Sequence, residues 1–340
     1  MLLFLVPRVF AAGYGVPVDG YPSVDERWLL LWTNAARVAP TEFTDEYQAG
    51  GCSTADFSAD EKSAKAPLYI DLALTEAARF HSTDMAENGC FQHESCDGTD
   101  TWARIDDFYA DAAGAMGENI AMGTSDARYA VLSMWMCSHS GHRANIMSAD
   151  FNEMGPGVDG VYMTQDFAAG QLNEGSPPVR VAVEEDGAWY ADWGDAAAPK
   201  RLSIIVDGEV TPLELLHGAP DQGIYWADSP SSGADACHHA YIQWETDGGV
   251  TGTFPEEGSF GSGACTDTDP VTGWAGDQAP SGGDPSGNAP DGSSASAMMS
   301  DIALVGCTTT PGAAGGGPLL GLLVVGSTLL AGRRASSLRR

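Results

Sequence analysis

Two histidines and one glutamate in the first half of the chain have residue types suited to metal or acid–base chemistry. His93 lies in the segment FQHESC, Glu118 in GENIAMG and His142 in SHSGHRANIM. A neutral imidazole offers one nitrogen lone pair to a divalent cation, and a nearby carboxylate adds an oxygen ligand or orients the ring. The three residues are therefore candidates for one polar site, with a purely structural, hydrogen-bonded cluster as the alternative.

Common catalytic motifs are missing around these histidines. His93 and Glu94 are followed by Ser95, Cys96 and Asp97, so the zinc-protease pattern HExxH is absent. The sequence also contains no GxSxG nucleophile elbow and no phosphate-binding loop. The motifs alone therefore favour a binding role over catalysis.

The order of these segments, continued by FNEMGPGV and VYMTQDF, resembles the bacterial branch of the CAP superfamily. That superfamily contains cysteine-rich secretory proteins, antigen 5 and pathogenesis-related plant proteins. The resemblance implies an α/β/α sandwich over residues 22–172, in which helices cover both faces of a mixed, mostly antiparallel sheet.

The resemblance also implies a central cleft lined by two histidines and two glutamates, where the histidines bind zinc or another divalent cation. His93 and His142 match the histidines and Glu118 matches the first glutamate. The second glutamate is expected three residues after Trp135, where this chain has Ser138. We therefore expect His93 and His142 as metal ligands for zinc, calcium or magnesium, and Glu118, Ser138 and Asn119 as cleft-lining residues.

Composition restricts the partners of this protein. The 340 residues include 47 acidic and 16 basic side chains, a formal net charge of -31. The negative electrostatic field of such a chain repels nucleic acid phosphates and anionic membrane surfaces. We expect no nucleic acid partner, and membrane contact only through a C-terminal tag or lipid.

The seven cysteines contain no CxxC pair and fit an oxidising, extracytoplasmic location. Cys90 and Cys96 bracket the His93 loop, so a disulfide between them would make that loop rigid. Cys237 and Cys265 flank the last predicted hairpin, and we expect a second disulfide between them. Cys52 and Cys137 are then left as the other pair, by elimination only. Cys307 stands alone.

Local patterns predict helices over Val24–Val38, Leu72–Asn88 and Asp126–Met136, a turn at GENI, and one strand over Gly157–Phe167. From about residue 178 the sequence pattern changes to short strand-like runs separated by Gly, Asp and Pro. The sequence therefore predicts an α+β chain with five parts: a leader and lead-in (1–21), the CAP domain (22–172), a small all-β, Ig-like sandwich module (173–265), a Gly/Ser/Pro/Asp stalk (266–306) and a Cys-helix-Arg sorting tag (307–340).

The C-terminal segment carries Cys307, an apolar run from Pro318 to Gly332, and four arginines. This order resembles the MYXO-CTERM sorting tag. The resemblance implies a processing protease as a partner, lipid attachment to Cys307 and display on the cell surface. The alternative is an ordinary membrane anchor, for which the apolar run is short.

These features together indicate an exported, surface-anchored, non-catalytic binding module with an unknown extracellular ligand. Two alternatives from other classes stay open. One is a peptidase-like hydrolase that uses the same cleft, and the other is a lipid- or sterol-binding protein.

Overall fold

The computed structural model describes residues 22–47, 53–109, 114–138, 141–170, 176–229 and 236–264. The predicted leader, stalk and sorting tag lie outside the described residues, as do Cys52, Cys265 and Cys307. Among the residues that are described, no helix combines the length and apolar character needed to cross a membrane.

Helices and strands alternate through the first half of the described chain. The helices are α1 (Val24–Val38), α2 (Pro40–Glu46), α3 (Leu72–Asn88), α4 (Thr101–Phe108), α5 (Ala127–Tyr129) and α6 (His142–Ile146), with a 3-10 turn at Thr54–Asp56 and a π-helical segment at Ala130–Trp135.

The strands form three sheets. Sheet 1 has the order β1-β3-β4-β2, sheet 2 the order β5-β6-β10-β9, and sheet 3 the order β12-β11-β7-β8 with β13 paired to β11. Their bounds are β1 (Tyr69–Ile70), β2 (Met116–Met122), β3 (Glu153–Asp159), β4 (Tyr162–Ala168), β5 (Ala182–Glu185), β6 (Ala188–Gly194), β7 (Arg201–Val206), β8 (Glu209–Pro212), β9 (Glu214–Ala219), β10 (Gln222–Asp228), β11 (Cys237–Glu245), β12 (Thr251–Phe254) and β13 (Phe260–Gly263).

Local signals define the ends of the predicted helices α1 and α3. Ser23 and Glu26 form a capping box at the start of α1, each side chain bonding the other residue's backbone N–H. Asp71 caps α3, and Gly89 ends it in the left-handed conformation. Both helices therefore have the predicted bounds.

Three other predictions are corrected by the structure. The GENI segment is not a turn but part of β2, which pairs with β4 from Met116↔Ala168 to Met122↔Tyr162. The predicted single strand over 157–167 is a hairpin of β3 and β4, because Gly160 supplies the positive φ that its turn requires. The predicted helix over 126–136 is the short α5 continued by the π-helical segment.

Sheet 1 has α3 on one face and α1 on the other, so this part of the chain is an α/β/α sandwich. On the α3 side, a Cβ atom at Gly155 or Gly157 would overlap the backbone of Leu74 or Ala78. The two glycines therefore let the helix lie directly on β3. The mixed helix-and-sheet class predicted from the sequence is observed.

Helix α1 is buried on all sides rather than on one apolar stripe. Every residue from Leu29 to Val38 is buried. One apolar core joins α1 both to Met154 and Phe167 of sheet 1 and to Val183 and Ile224 of sheet 2. Sheet 2 thus covers the side of α1 that faces away from sheet 1.

Successive side chains of β6 point to opposite faces of sheet 2, and each face packs against a different apolar core. Trp189, Ala191 and Trp193 belong to the core shared with sheet 3. Tyr190 packs against the core of α1, and Asp192 accepts a hydrogen bond from α1. The five layers are therefore α3, sheet 1, α1, sheet 2 and sheet 3.

Asn34 of α1 makes hydrogen bonds to groups on both sides of this helix. Its Nδ2 donates to the Leu68 carbonyl at 3.1 Å and to Asp192 Oδ2 at 3.0 Å, and its Oδ1 accepts from Leu68 N at 2.8 Å. Burial raises the pKa of Asp192 to about 6, opposed by the positive charge of Arg180. A single side chain therefore satisfies buried groups from both neighbouring segments.

We predict that Asn34→Ala lowers the free energy of unfolding by about 2–3 kcal/mol, because buried donors and acceptors lose their partner. Denaturant unfolding of the full chain measures the loss. The matched control is Asn88→Ala on α3, whose exposed amide bonds only Asp84 and whose loss is expected to stay within about 0.5 kcal/mol. Equal losses for the two variants would contradict the assigned role of Asn34.

His81 of α3 is a core histidine. It is fully buried, and its Nε2 lies 2.9 Å from the Gln92 carbonyl. Burial lowers the pKa of His81 to about 3, and the positive charge of Arg104 acts in the same direction. The folded state therefore holds His81 neutral while the unfolded chain takes up a proton below about pH 6.5.

The stability that neutral His81 contributes is thus full above pH 6.5 and is lost as the pH falls towards the folded pKa. We predict that His81→Gln, which keeps a donor for the Gln92 carbonyl, costs most stability at pH 8. The difference from the parent chain should then shrink by about 1.4 kcal/mol per pH unit below 6.5. Chemical unfolding of both proteins from pH 8 to pH 5 measures this. A difference that does not depend on pH would show that His81 titrates normally.

Candidate functional site

The register of β2 and β4 places two buried polar pairs on opposite faces of sheet 1. Glu118 lies directly across from Asp166, and Asn119 directly across from Gln165. Because side chains alternate along a strand, each pair shares one face. All four side chains are fully buried. Gln165 Nε2 donates to Thr33 of α1 at 2.6 Å, so the Glu118 pair faces the α3 side.

Glu118 is held between His93 and Arg104. His93 Nδ1 lies 2.7 Å from Glu118 Oε1, and Arg104 Nη2 bonds Glu118 Oε2. Arg104 Nη1 also donates to the His93 carbonyl at 2.8 Å. One arginine from α4 therefore fixes both the carboxylate and the loop that carries the histidine.

A disulfide fixes the same loop from its two ends. The predicted Cys90–Cys96 bond is confirmed, with 5.9 Å between the Cα atoms. Cys137 and Cys237 are also disulfide-bonded. Their predicted partners, Cys52 and Cys265, lie outside the described residues, so those two pairings stay predictions.

Asp166 makes Glu118 one half of a buried carboxyl pair. Burial raises the pKa of Asp166 well above its usual range, and the charge of Glu118 raises it further. Burial also raises the pKa of Glu118 to about 7, while Arg104 opposes that rise. A hydrogen bond between the two side chains raises the pKa of Asp166 and lowers that of Glu118. We therefore assign the proton of the pair to Asp166, which leaves Glu118 as the charged partner of Arg104.

His142 approaches the cluster from the start of α6. Its side chain is buried, and neither ring nitrogen has a hydrogen-bond partner among the described residues. Burial is the larger cause and the nearby charge of His93 the smaller one, and together they lower the pKa of His142 to about 4. The ring is therefore neutral at pH 7 and retains a lone pair.

Two asparagines position the backbone around His142. Asn119 Nδ2 donates to the His142 carbonyl at 3.2 Å, and Asn145 Nδ2 donates to the Glu118 carbonyl at 3.1 Å. The two side chains also bond each other at 2.9 Å. Asn119 thus supports the histidine loop from the α1 face of sheet 1.

Ser138, at the position of the expected second glutamate, is half-buried. Its backbone N–H donates to the Trp135 carbonyl at 3.0 Å. Ser138 therefore has a neutral hydroxyl at the position where a glutamate would carry a negative charge.

The candidate ligands do not form a compact three-ligand cluster. Within the described ranges, the one group of three potential ligand atoms that lie within 4.8 Å of one another is Asp84 with Cys90 and Cys96. The bond between the two cysteines removes them as ligands. Any metal bound by His93 and His142 would therefore depend on two protein nitrogens and on water.

Two residues of the cluster were missed by sequence reasoning. Arg104 gave no signal beyond its place in a short helix. Asp166 could have been found if GENI and TQDF had been paired as antiparallel strands, because the register places Asp166 opposite Glu118.

Two adjacent histidines of the β-rich region, His238 and His239, contact a carboxylate. In the structure, Asp207 Oδ2 lies 2.6 Å from His238 Nδ1, and Asp207 Oδ1 accepts from His239 N at 2.8 Å. The β7–β8 turn brings this aspartate to β11, which the sequence order did not indicate.

Comparisons with known proteins agree with the first half of this architecture. The model of the cysteine-rich secretory protein family, CAP, matches residues 32–167. The uncharacterized membrane protein YlbC of Bacillus subtilis (strain 168) is 38% identical over 31% of this chain and 30% of its own length. The uncharacterized protein YkwD of the same strain is 35% identical over 32% of this chain and 41% of its own length. The chain thus spans less than half the length of either relative.

Two solved structures are similar over a comparable share of the chain. An extracellular protein containing an SCP domain from Bacillus anthracis str. Ames has 33% identity and a TM-score of 0.29, covering 31% of this chain and 34% of that one. An outer surface protein from Borrelia burgdorferi has 22% identity and a TM-score of 0.27, covering 31% and 78%. The family match includes His93, Glu118, His142 and Asp166. Residues 32–167 are therefore similar to the CAP family over the matched range.

Proposed function

We propose that this protein is an exported, non-catalytic binding module whose His93–His142 cleft takes a divalent cation. The observation that carries the proposal is the 2.7 Å contact between His93 Nδ1 and Glu118 Oε1. A histidine that ligates a metal commonly donates its other ring N–H to a carboxylate, which fixes the tautomer and orients the ring.

The ionised state of Glu118 favours the His93 tautomer that carries its proton on Nδ1. Arg104 compensates the charge of Glu118 at the opposite carboxylate oxygen, so Glu118 stays ionised and accepts a hydrogen bond from His93 Nδ1–H. The lone pair of His93 then lies on Nε2. His93 is also the more accessible partner, with 18% of its side chain exposed against none of Glu118.

His142 is the second proposed ligand. Its buried, neutral imidazole fits a soft or borderline cation better than a hard one, because calcium and magnesium prefer oxygen ligands. We therefore favour zinc over calcium or magnesium. When bound, the ion would supply a positive centre that holds an anionic or carbonyl group of a ligand.

Export and surface display complete the proposal. The disulfide between Cys90 and Cys96 fits an oxidising compartment. The solved relatives are described as an extracellular protein and an outer surface protein. We extend that location to this chain, with an Ig-like identity for sheets 2 and 3 and a MYXO-CTERM-like tag as further parts of the proposal.

We predict that the purified full chain binds zinc with one site per chain, measured by titration calorimetry. His93→Ala and His142→Ala should each weaken binding at least about tenfold. Glu118→Gln should weaken it by about 10–100-fold, since it removes the carboxylate that orients His93.

His238→Ala is the matched control for this titration, because His238 also bonds a carboxylate, Asp207, but lies in sheet 3. It should leave the affinity unchanged. Zinc binding that is lost in His238→Ala and retained in His93→Ala would contradict the proposed site.

The hydrolase alternative makes a different prediction with the same variants. We expect the full chain to show no peptide or ester hydrolysis that depends on His93 or His142, because no activated nucleophile adjoins either histidine among the described residues. Fluorogenic peptide and ester substrates measure this. Hydrolysis that disappears in His93→Ala, with an unchanged melting temperature, would favour the hydrolase.

A further inference from the structure

A cavity lies at the start of α1, on the other side of sheet 1 from Glu118. Its volume is about 270 Å³, and it opens between α1, the segment that leads into α5, and the end of β5. It shares no lining residue with the histidine cluster. Nothing in the proposed metal site requires it.

One wall of this cavity is aromatic. Trp28 and Trp32 stack with their ring centroids 5.1 Å apart. The ring of Tyr190 from β6 packs edge-on against both indoles, at 5.8 and 5.9 Å. Trp28 is half-buried and Trp32 is buried, so Trp28 offers the accessible ring.

The other walls carry charge, mainly negative. Asp25, Asp126 and Glu185 line the cavity together with one cation, Arg128. Arg128 pairs with Glu185 at 2.6 Å, and acidic side chains outnumber basic ones three to one in the lining. The field of a chain with formal net charge -31 adds to this local surplus.

Arg128 shows which chemistry this wall accommodates. Its guanidinium lies 4.2 Å from the centroid of the Trp32 ring while it pairs with Glu185. A planar cation between an indole face and a carboxylate gains from the ring quadrupole and from charge-assisted hydrogen bonds. Trp28 and Asp126 also line the cavity, so an indole ring and a carboxylate are both available to a ligand there.

We propose that this cavity binds the cationic side chain of a peptide ligand, a guanidinium or primary ammonium group. The aromatic wall holds the apolar stem and the face of the cation, and the carboxylates accept its N–H groups. This assignment does not depend on the proposed metal site. An anionic ligand is disfavoured by the excess of acidic over basic side chains in the lining.

The test compares a cation with its neutral isostere. Binding of N-acetyl-arginine amide, N-acetyl-lysine amide and N-acetyl-citrulline amide to the full chain is measured by saturation-transfer NMR titration at low salt. Citrulline keeps the shape of arginine without its charge. We expect saturable binding of both cations, weakened by added salt, and at least about tenfold weaker binding of the citrulline probe.

The variants locate the binding in this cavity. Asp126 caps α5 by accepting from Tyr129 N at 2.9 Å, and asparagine is an equally good cap, so Asp126→Asn removes charge with the fold retained. Asp126→Asn and Trp28→Leu should each weaken the arginine probe at least about threefold. Glu87→Gln, which removes an exposed carboxylate on α3 across sheet 1, should leave binding unchanged.

Three results would overturn the proposal. They are equal binding of the citrulline and arginine probes, no saturable binding of either cation, and equal weakening by Glu87→Gln and Asp126→Asn. Melting temperatures of all three variants show whether Trp28→Leu acts through unfolding. If it does, Asp126→Asn alone decides the test. Zinc affinity measured on the same variants should not change, which separates this cavity from the histidine site.

Discussion

Helix α1 is enclosed between two sheets, and the rest of the structure depends on how its buried polar side chains are satisfied. Thr33 accepts from Gln165 on the sheet 1 side at 2.6 Å, and Asn34 donates to Asp192 on the sheet 2 side at 3.0 Å. Arg37 donates to several loop carbonyls, including that of Ile146 at 2.6 Å. Because a buried polar group without a partner is costly, these bonds tie both sheets and the loop after α6 to one helix.

That enclosure also positions both candidate sites. The α6 end of the His142 loop is fixed by the Arg37 bond to Ile146. At the other end of α1, Glu185 of β5 lines the cavity, and Tyr190 of β6 packs against Trp28 and Trp32. The β-rich region therefore contributes directly to the cavity and to the core around α1.

Much of the fold was predictable wherever the determinants are local. The capping box at Ser23 and the glycine stop at Gly89 define α1 and α3 from neighbouring residues alone. Strand β2 was missed because its central residues are buried on both faces, so no alternation of polar and apolar residues marks it. The histidines and Glu118 came from ordered motifs. Arg104 and Asp166 join them through the docking of α4 and the register of β2 with β4, which are tertiary properties.

The proposed metal site requires one divalent cation to be shared by His93, which Glu118 orients, and the buried His142. Crystals of the full chain grown with zinc, with diffraction data collected on both sides of the zinc absorption edge, would locate such an ion. We expect one strong anomalous peak about 2 Å from His93 Nε2 and from a ring nitrogen of His142, with His93 Nδ1 still bonded to Glu118. A peak at His238 and none between His93 and His142 would contradict it.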